Sequence, residues 1–419
     1  ASGASQTGFG RTGSVNWQTT KKTTGFTATS GEGYFCDTAS GGFTLTLPSS
    51  PSAGDIVGLR DYAGTFSSGN LTIGRGGSNL MGNAGDKVLS TNFTSLTMVY
   101  VDATEGWIPV EEGTGDIGET PTFISASGGT VTCSGDYKIH TFTGPGTFTV
   151  SSVGNSVGGS DKVDYLVVAG GGAGGFDGGG GGGAGGFRAS NCISSMPAPL
   201  TSPLASSTSL TVTATGFPIT VGAGAADKPS TGVSANGSPS TFSSITSAGG
   251  GGGSPGGPAC RPAGNGGSGG GTDRSGNSAP QVGTGNTPPV SPPQGNPGGF
   301  NPNAVGGGGG GAGGTSASDC NGNGGIGSYM IQTGFAGCNG TTGPVTAVRY
   351  FAGGGAGGHN PSAVPCATQT GGSGGGGNGG SSGSTNTGGG GGAGDAAGPT
   401  PQTGKSGGSG IVIIRYKYQ

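Results

Sequence analysis

The chain has 419 residues, of which 108 are glycine, 29% are hydrophobic and only 8% are charged, whereas ordinary globular chains carry about 7% glycine, so a conventional apolar core cannot fill the whole length. The 16 basic and 19 acidic residues leave a formal net charge of −3 with no basic run, which removes support for electrostatic binding of nucleic acid or an anionic membrane and favours neutral partners such as glycans. No run of about 18 apolar residues occurs, so no membrane insertion is expected.

From Trp17 to Val110 the composition is nearly normal. Phe43-Thr44-Leu45-Thr46-Leu47 places apolar side chains on one face and threonines on the other, as a half-buried strand requires. Asp55-Ile56-Val57-Gly58-Leu59, Leu71-Thr72-Ile73 and Leu96-Thr97-Met98-Val99-Tyr100-Val101 read in the same way, separated by turn signals such as Pro48-Ser49-Ser50-Pro51. No segment carries a 3.6-residue apolar period over three turns, so residues 17–110 form a small all-β domain. Residues 111–121, acidic and glycine-containing, are a linker.

A β base follows over 122–168, with strands at Thr130–Cys133, Tyr137–Phe142, Gly146–Val150 and Val163–Val168. The character then changes abruptly and returns only at Ile411-Val412-Ile413-Ile414-Arg415-Tyr416, in a closing strand over 411–419. Two strongly apolar strands thus bracket the glycine-rich residues 169–410. If they lie in one sheet, everything between projects as a tip. Within the bracket Gly-Gly-Gly-Ala-Gly-Gly recurs at 170–175, 181–186, 309–314 and 353–358, at irregular spacing. Segments rich in Ser, Thr, Asn and Pro separate the runs, notably 188–209, 254–303, 315–349 and 359–370.

An isolated glycine run is a flexible linker, because fixing glycine costs more backbone entropy than fixing any other residue. Its competitor is a packed array of polyglycine II helices, left-handed and threefold, without internal hydrogen bonds. Side-chain-free helices approach until every N–H and C=O bonds laterally, satisfying the backbone without an apolar core. Several runs of comparable length, alanine as the main interruption and the return to an apolar strand favour the array. The polar segments are then loops at its ends, where recognition is usually carried.

Enzyme and cofactor signatures fail on inspection. The G-x-G-x-x-G fingerprint matches by chance at this glycine content and never sits between a strand and a helix. Gly398–Ser406 has five residues between the P-loop glycines where four are required, and a strand follows. Asp319-Cys320-Asn321-Gly322-Asn323-Gly324 begins like an EF-hand loop but has Met330 where the bidentate glutamate belongs. His140 and His359 stand in no ligand spacing, and no G-x-S-x-G elbow exists. No metal, cofactor or catalytic residue is therefore expected. The seven cysteines form no C-x-x-C pair; Cys320 and Cys338 flank a short polar loop and make the best disulfide candidate, with free thiols the equal alternative. Arg188, Phe300, Tyr329, Phe335 and His359 are the loop residues suited to stack on or hydrogen-bond a receptor, although each also suits pinning a loop down.

Tyr165-Leu166-Val167-Val168-Ala169 running into Gly170–Gly175, Pro218-Ile219-Thr220-Val221-Gly222-Ala223-Gly224, Tyr350-Phe351-Ala352-Gly353-Gly354-Gly355 and Gly407-Gly408-Ser409-Gly410-Ile411–Tyr416 together resemble the glycine-rich domain of bacteriophage tail fibres and related virion proteins. Gly135–Thr143 resembles the β segment that precedes it, so the resemblance spans about residues 121–419. Gly31-Glu32-Gly33-Tyr34-Phe35 and Val99-Tyr100-Val101-Asp102-Ala103-Thr104 resemble a small β module of marine phage structural proteins. The resemblance implies a homotrimeric fibre or an adhesin mounted on one, located on the virion outside the cell. Residues 1–16 would attach it to other tail proteins, and distal loops would contact a host receptor, either a glycan or an outer-membrane component. The rival readings are a purely structural fibre subunit and a polysaccharide depolymerase.

Overall fold

A computed structural model describes residues 15–113, 121–155, 158–192, 200–257, 261–274, 281–300, 305–316, 321–359, 369–396 and 402–419. The chain divides into two compact units, 1–121 and 122–419, and both are built from β-strands, as the alternating patterns require.

In the first unit the strands are β1 (Asn16–Lys22), β2 (Phe26–Thr27), β3 (Glu32–Cys36), β4 (Phe43–Thr46), β5 (Ile56–Asp61), β6 (Leu71–Gly74), β7 (Lys87–Leu89), β8 (Ser95–Asp102) and β9 (Gly106–Glu112). They alternate between two sheets, β1-β3-β5-β8-β9 and β2-β4-β6-β7. Up to β6 neighbouring strands pair parallel, and only β7, β8 and β9 pair antiparallel. The chain therefore winds as a two-sided coil and closes with antiparallel strands. Between the sheets lies one core that includes Leu45, Leu59, Leu71, Ile73, Leu96, Met98 and Trp107, the inward members of the sequence alternation. Cys36 is buried in it, and burial pushes its thiol up to about 12.

The second unit contains β10 (Ser125–Ser127), β11 (Thr130–Ser134), β12 (Tyr137–Phe142), β13 (Gly146–Ser152), β14 (Lys162–Val168), β15 (Phe187–Ser190), β16 (Ala205–Ser206), β17 (Leu210–Thr211), β18 (Gly216–Thr220), β19 (Ser240–Phe242), β20 (Ile245–Ser247), β21 (Ser328–Ile331), β22 (Val348–Phe351) and β23 (Ile411–Lys417). The bracketing strands β14 and β23 pair antiparallel, Val168 opposite Ile411 and Asp164 opposite Arg415. β23 is held between β12 and β14 in the order β11-β12-β23-β14-β15-β16. Both faces of this sheet are buried, which explains why Ile411–Ile414 is apolar without alternation. One face packs Val167, Val412, Ile414 and Tyr416 against Phe148, Ile219 and Phe242 of a second sheet, β10-β13-β18-β19-β20. The other packs Leu166, Val168, Ile411 and Ile413 against Met330, Phe335 and Phe351 of the β21–β22 hairpin and its turn. Segments 188–209 and 315–349 thus supply strands to the base as well as connections.

Between β14 and β23 the glycine runs form a lattice. Along 169–175 the amides rotate among three neighbours: Ala169, Gly172 and Gly175 donate to the carbonyls of Gly186, Gly183 and Gly180; Gly170 and Ala173 to Ser238 and Ala235; Gly171 and Gly174 to Gly408 and Lys405, all at 2.8 to 3.1 Å. Returning to the same neighbour every third residue is the signature of a threefold helix bonded only sideways.

The run 180–186 sits at the centre. It donates to 248–254, to Gly307 and Gly310, and to Gly388 and Gly391, and accepts from 169–175, from Ser268 and Gly271, and from Gly355. Six neighbours surround it, and every one of its amides is bonded without a side chain. At most glycine positions the approach tolerates nothing larger than hydrogen: a Cβ on Gly182 would stand 2.2 Å from the Gly172 oxygen, and one on Gly309 1.9 Å from the Gly182 oxygen. The recurrent alanines Ala173, Ala184, Ala312, Ala356 and Ala393 are buried within the lattice.

Candidate functional site

Because the lattice is anchored where Val168 leaves the base and Gly410 returns to it, each run has a basal and a distal end. The lateral bonds identify the distal end. Gly175 meets Gly180 across the turn 176–179, Gly358 donates to Gly179, Gly306 to Gly358, Gly394 to Gly175, and Lys228 pairs with Gly404. Ser254 accepts from Gly180, and Thr272 accepts from Gly307 and donates to Gly299. Residues 258–260, 275–280, 301–304, 360–368 and 397–401 lie outside the described residues, and the described residues flanking each of them stand at this end.

The turn 176–179 ties the distal face together. Asp177 N–H donates to the Gln402 carbonyl at 3.0 Å, Gly178 N–H to Gly394 at 2.6 Å, Arg274 N–H to the Gly178 carbonyl at 3.2 Å and Gly256 N–H to Phe176 at 2.7 Å. The Arg274 guanidinium stands 4.0 Å from the Asp177 carboxylate and its side chain lies against Gly178, whose φ of +72° favours glycine. His359 is fixed through its backbone: its N–H donates to the Asp395 carboxylate at 3.0 Å and its carbonyl accepts from Ala396 at 2.8 Å. Phe300, half-buried, follows Gly299, which donates to Gly308.

Of the five residues singled out as receptor contacts, Phe300 and His359 stand at the distal face, and the other three belong to the base. Arg188 lies on β15 opposite Val167. Tyr329 lies on β21 with its ring 5.3 Å from that of Tyr350, and burial raises its phenol above the usual range. Phe335 is 1% exposed and its ring faces the Arg415 guanidinium at 4.7 Å, so it packs within the base. The sequence reading took the whole of 315–349 as a connection and so missed that Ser328–Ile331 and Val348–Phe351 pair as a hairpin on the base. It also passed over the turn 176–179, whose signal was Asp177 interrupting two glycine runs.

Cys338 is an exposed free thiol; its suggested partner Cys320 lies outside the described residues. Among the described residues no three His, Cys, Asp or Glu side chains gather as metal ligands. The second histidine, His140, is fully buried in the base, with Nδ1 2.7 Å from the Gly128 carbonyl and Nε2 3.0 Å from the Tyr416 hydroxyl. Lys405, in the segment that resembles a P-loop, lies in a lattice run, where its carbonyl accepts from Gly174.

A comparison with curated proteins finds no match. The model of the glycine-rich domain family matches residues 143–417, which runs from the β12–β13 turn through the lattice to the end of the closing strand, and the chain belongs to that family.

Proposed function

We propose that the protein is a receptor-binding adhesin of a bacteriophage tail fibre or tail tip, acting outside the cell on the virion, and that it recognises a host surface glycan or outer-membrane component through the distal face. The observation that carries this reading is the separation of labour in the lattice. Lateral backbone bonds, supplemented by a few side chains such as Ser234, Asn236 and Ser240, hold the runs in place, so residues at the distal connections are free to vary without disturbing the scaffold, as recognition on a rigid support requires. The low charge of the chain favours a neutral receptor. Each tip contributes modest affinity, and copies joined in a homotrimer and attached through the N-terminal region to other tail proteins act together by avidity. No catalytic step is assigned.

The test is adsorption of the fluorescently labelled chain to a panel of bacterial cells, comparing the natural sequence with a variant in which 258–260, 301–304 and 360–368 are replaced by Gly-Ser stretches of equal length. Saturable binding to some strains is expected, lost in the variant while the thermal midpoint is kept. Binding that survives the replacement, or shortening of host polysaccharide on incubation, would overturn the reading.

A further inference from the structure

The base carries a second concavity, on the sheet face that also receives the β21–β22 hairpin. It has a volume of about 630 Å³, within the range of roughly 300–1,000 Å³ that holds small ligands. One wall is the β11–β12 hairpin and the other is the turn 332–339 that follows β21.

Chain periodicity builds the first wall. Thr130, Thr132 and Ser134 occupy alternate positions of β11 and so project to one face, and the register sets Thr141 opposite Thr130 and Ile139 opposite Thr132. The facing turn presents Gln332 and Thr333. Between the walls Ile139 and Phe335, members of the apolar cluster beneath, provide the floor.

Three properties of this groove restrict its ligand. Among the described residues no charged side chain lines it. Among the described residues, the hydroxyls of Thr130, Thr132, Ser134, Thr141 and Thr333 and the carboxamide of Gln332 have no hydrogen-bond partner, so they remain available. Hydroxyls and a carboxamide supply donors and acceptors together, beside an apolar floor. A ligand with many neutral hydroxyls and an apolar ring face satisfies all three, whereas an anion finds no counter-charge. A peptide adding to the sheet would bond along the backbone edge of β11 and would leave this side-chain ladder unused.

We infer that the groove between β11–β12 and the turn 332–339 is a binding site for a short neutral oligosaccharide, separate from the distal face. It does not depend on the receptor reading given for that face.

The inference is tested by calorimetric titration of the full chain with hexose and N-acetylhexosamine oligomers of two to four units, beside sulfated and carboxylated counterparts. At least one neutral oligomer binds saturably, and its anionic counterparts bind no more tightly. Thr132→Arg, on an exposed strand position, fills the groove and lowers affinity at least about tenfold, a loss of about 1.4 kcal/mol. Thr132→Val keeps the strand-favouring shape, removes the hydroxyl and weakens binding about fivefold, the scale of one hydrogen bond. Replacing the distal segments leaves this binding unchanged, which separates its fate from that of the distal site. The inference fails if no neutral oligomer saturates, if binding is indifferent to both Thr132 variants, or if an unrelated extended peptide displaces the sugar.

Discussion

Arg415 and Asp164 face each other across the central strand pair, both 0% exposed, with Nη2 2.7 Å from Oδ2. The carboxylate also accepts from Ser190 Oγ at 3.1 Å, Cys192 N–H at 2.9 Å and Ser209 Oγ at 3.0 Å, while the guanidinium donates to Asn191 at 2.7 Å between the rings of Tyr137 and Phe335. Such a pair is costly to desolvate, and removing one partner leaves a buried charge uncompensated. Arg415→Met should therefore destabilise the second unit by about 3–5 kcal/mol in urea unfolding, and Arg415→Lys should recover little of this, because an ammonium lacks the planar fork and stacks poorly. His140 makes a pH-dependent contribution. Burial holds its imidazole below the ordinary 6.5, with the Gly128 carbonyl pulling the other way and Lys138 adding to the depression. The unfolded imidazole then binds a proton at a pH where the folded one stays neutral. Its contribution is complete above pH 6.5 and is lost as the pH falls through the folded value. Between pH 7 and 5 the thermal midpoint of the wild type should fall more steeply than that of His140→Gln; parallel slopes would show that another group governs the acid limb.

The lattice run is an element stabilised by contact with its own kind. Gly182→Ala drives a methyl into the Gly172 carbonyl at 2.2 Å, where neighbouring backbone on every side prevents adjustment, so a loss of at least about 3 kcal/mol is expected, the upper end for overpacking. Gly144→Ala is the matched control, since nothing lies within 4 Å of its Cβ, and its thermal midpoint should stay within a degree or two of the wild type. Much of this was legible in advance. The bracketing strands announced themselves as apolar runs, and the recurrence of one alanine-interrupted hexapeptide pointed to an array. The rim of the lattice is less plain from the residues alone: 222–228 and 404–410 carry Asp227, Lys228, Lys405 and Ser406, yet bond as lattice members. A threefold helix at the edge needs small residues only in its inward columns, as the burial of Gly222 and Ala225 with exposed Ala226 and Asp227 shows, so charged and hydroxyl-bearing residues can occupy its outward ones. The coil of the first unit was hidden for another reason. Asn16 pairs with Glu32, and Glu32 with Val57, so successive turns differ in length and leave no period to detect. The candidate contact residues were harder still, because Tyr329 and Phe335 lie in a polar stretch between glycine runs and only the pairing of β21 with β22 assigns them to the base.

At the scale of the whole molecule the second unit depends on one closing strand. Among the described residues β23 is the only link between β12 and β14 in its sheet; it contributes to the apolar clusters on both faces, and it ends the lattice run whose Gly404, Gly407 and Gly410 donate to Lys228, Ala225 and Gly222. A lattice without an apolar core has no reserve if its anchor is lost, since each run is held only by neighbours that are themselves held sideways, and glycine loses more entropy on ordering than any other residue. Truncation after Gly410 should therefore abolish order across the described residues of 122–410, not merely fray the end. The first unit, with its own closed core around Leu45, Leu71 and Trp107, should keep its fold. Amide hydrogen exchange distinguishes the outcomes. In the intact chain protection should be greatest in 180–186, where six neighbours exclude water, and weaker in the rim runs 222–228 and 404–410. In the truncated chain 169–186 should exchange at the rate of a random coil while β5 and β8 stay protected. If 180–186 remained protected without β23, lateral backbone bonding alone would suffice to hold the lattice, and the base would serve to orient the tip instead of closing it.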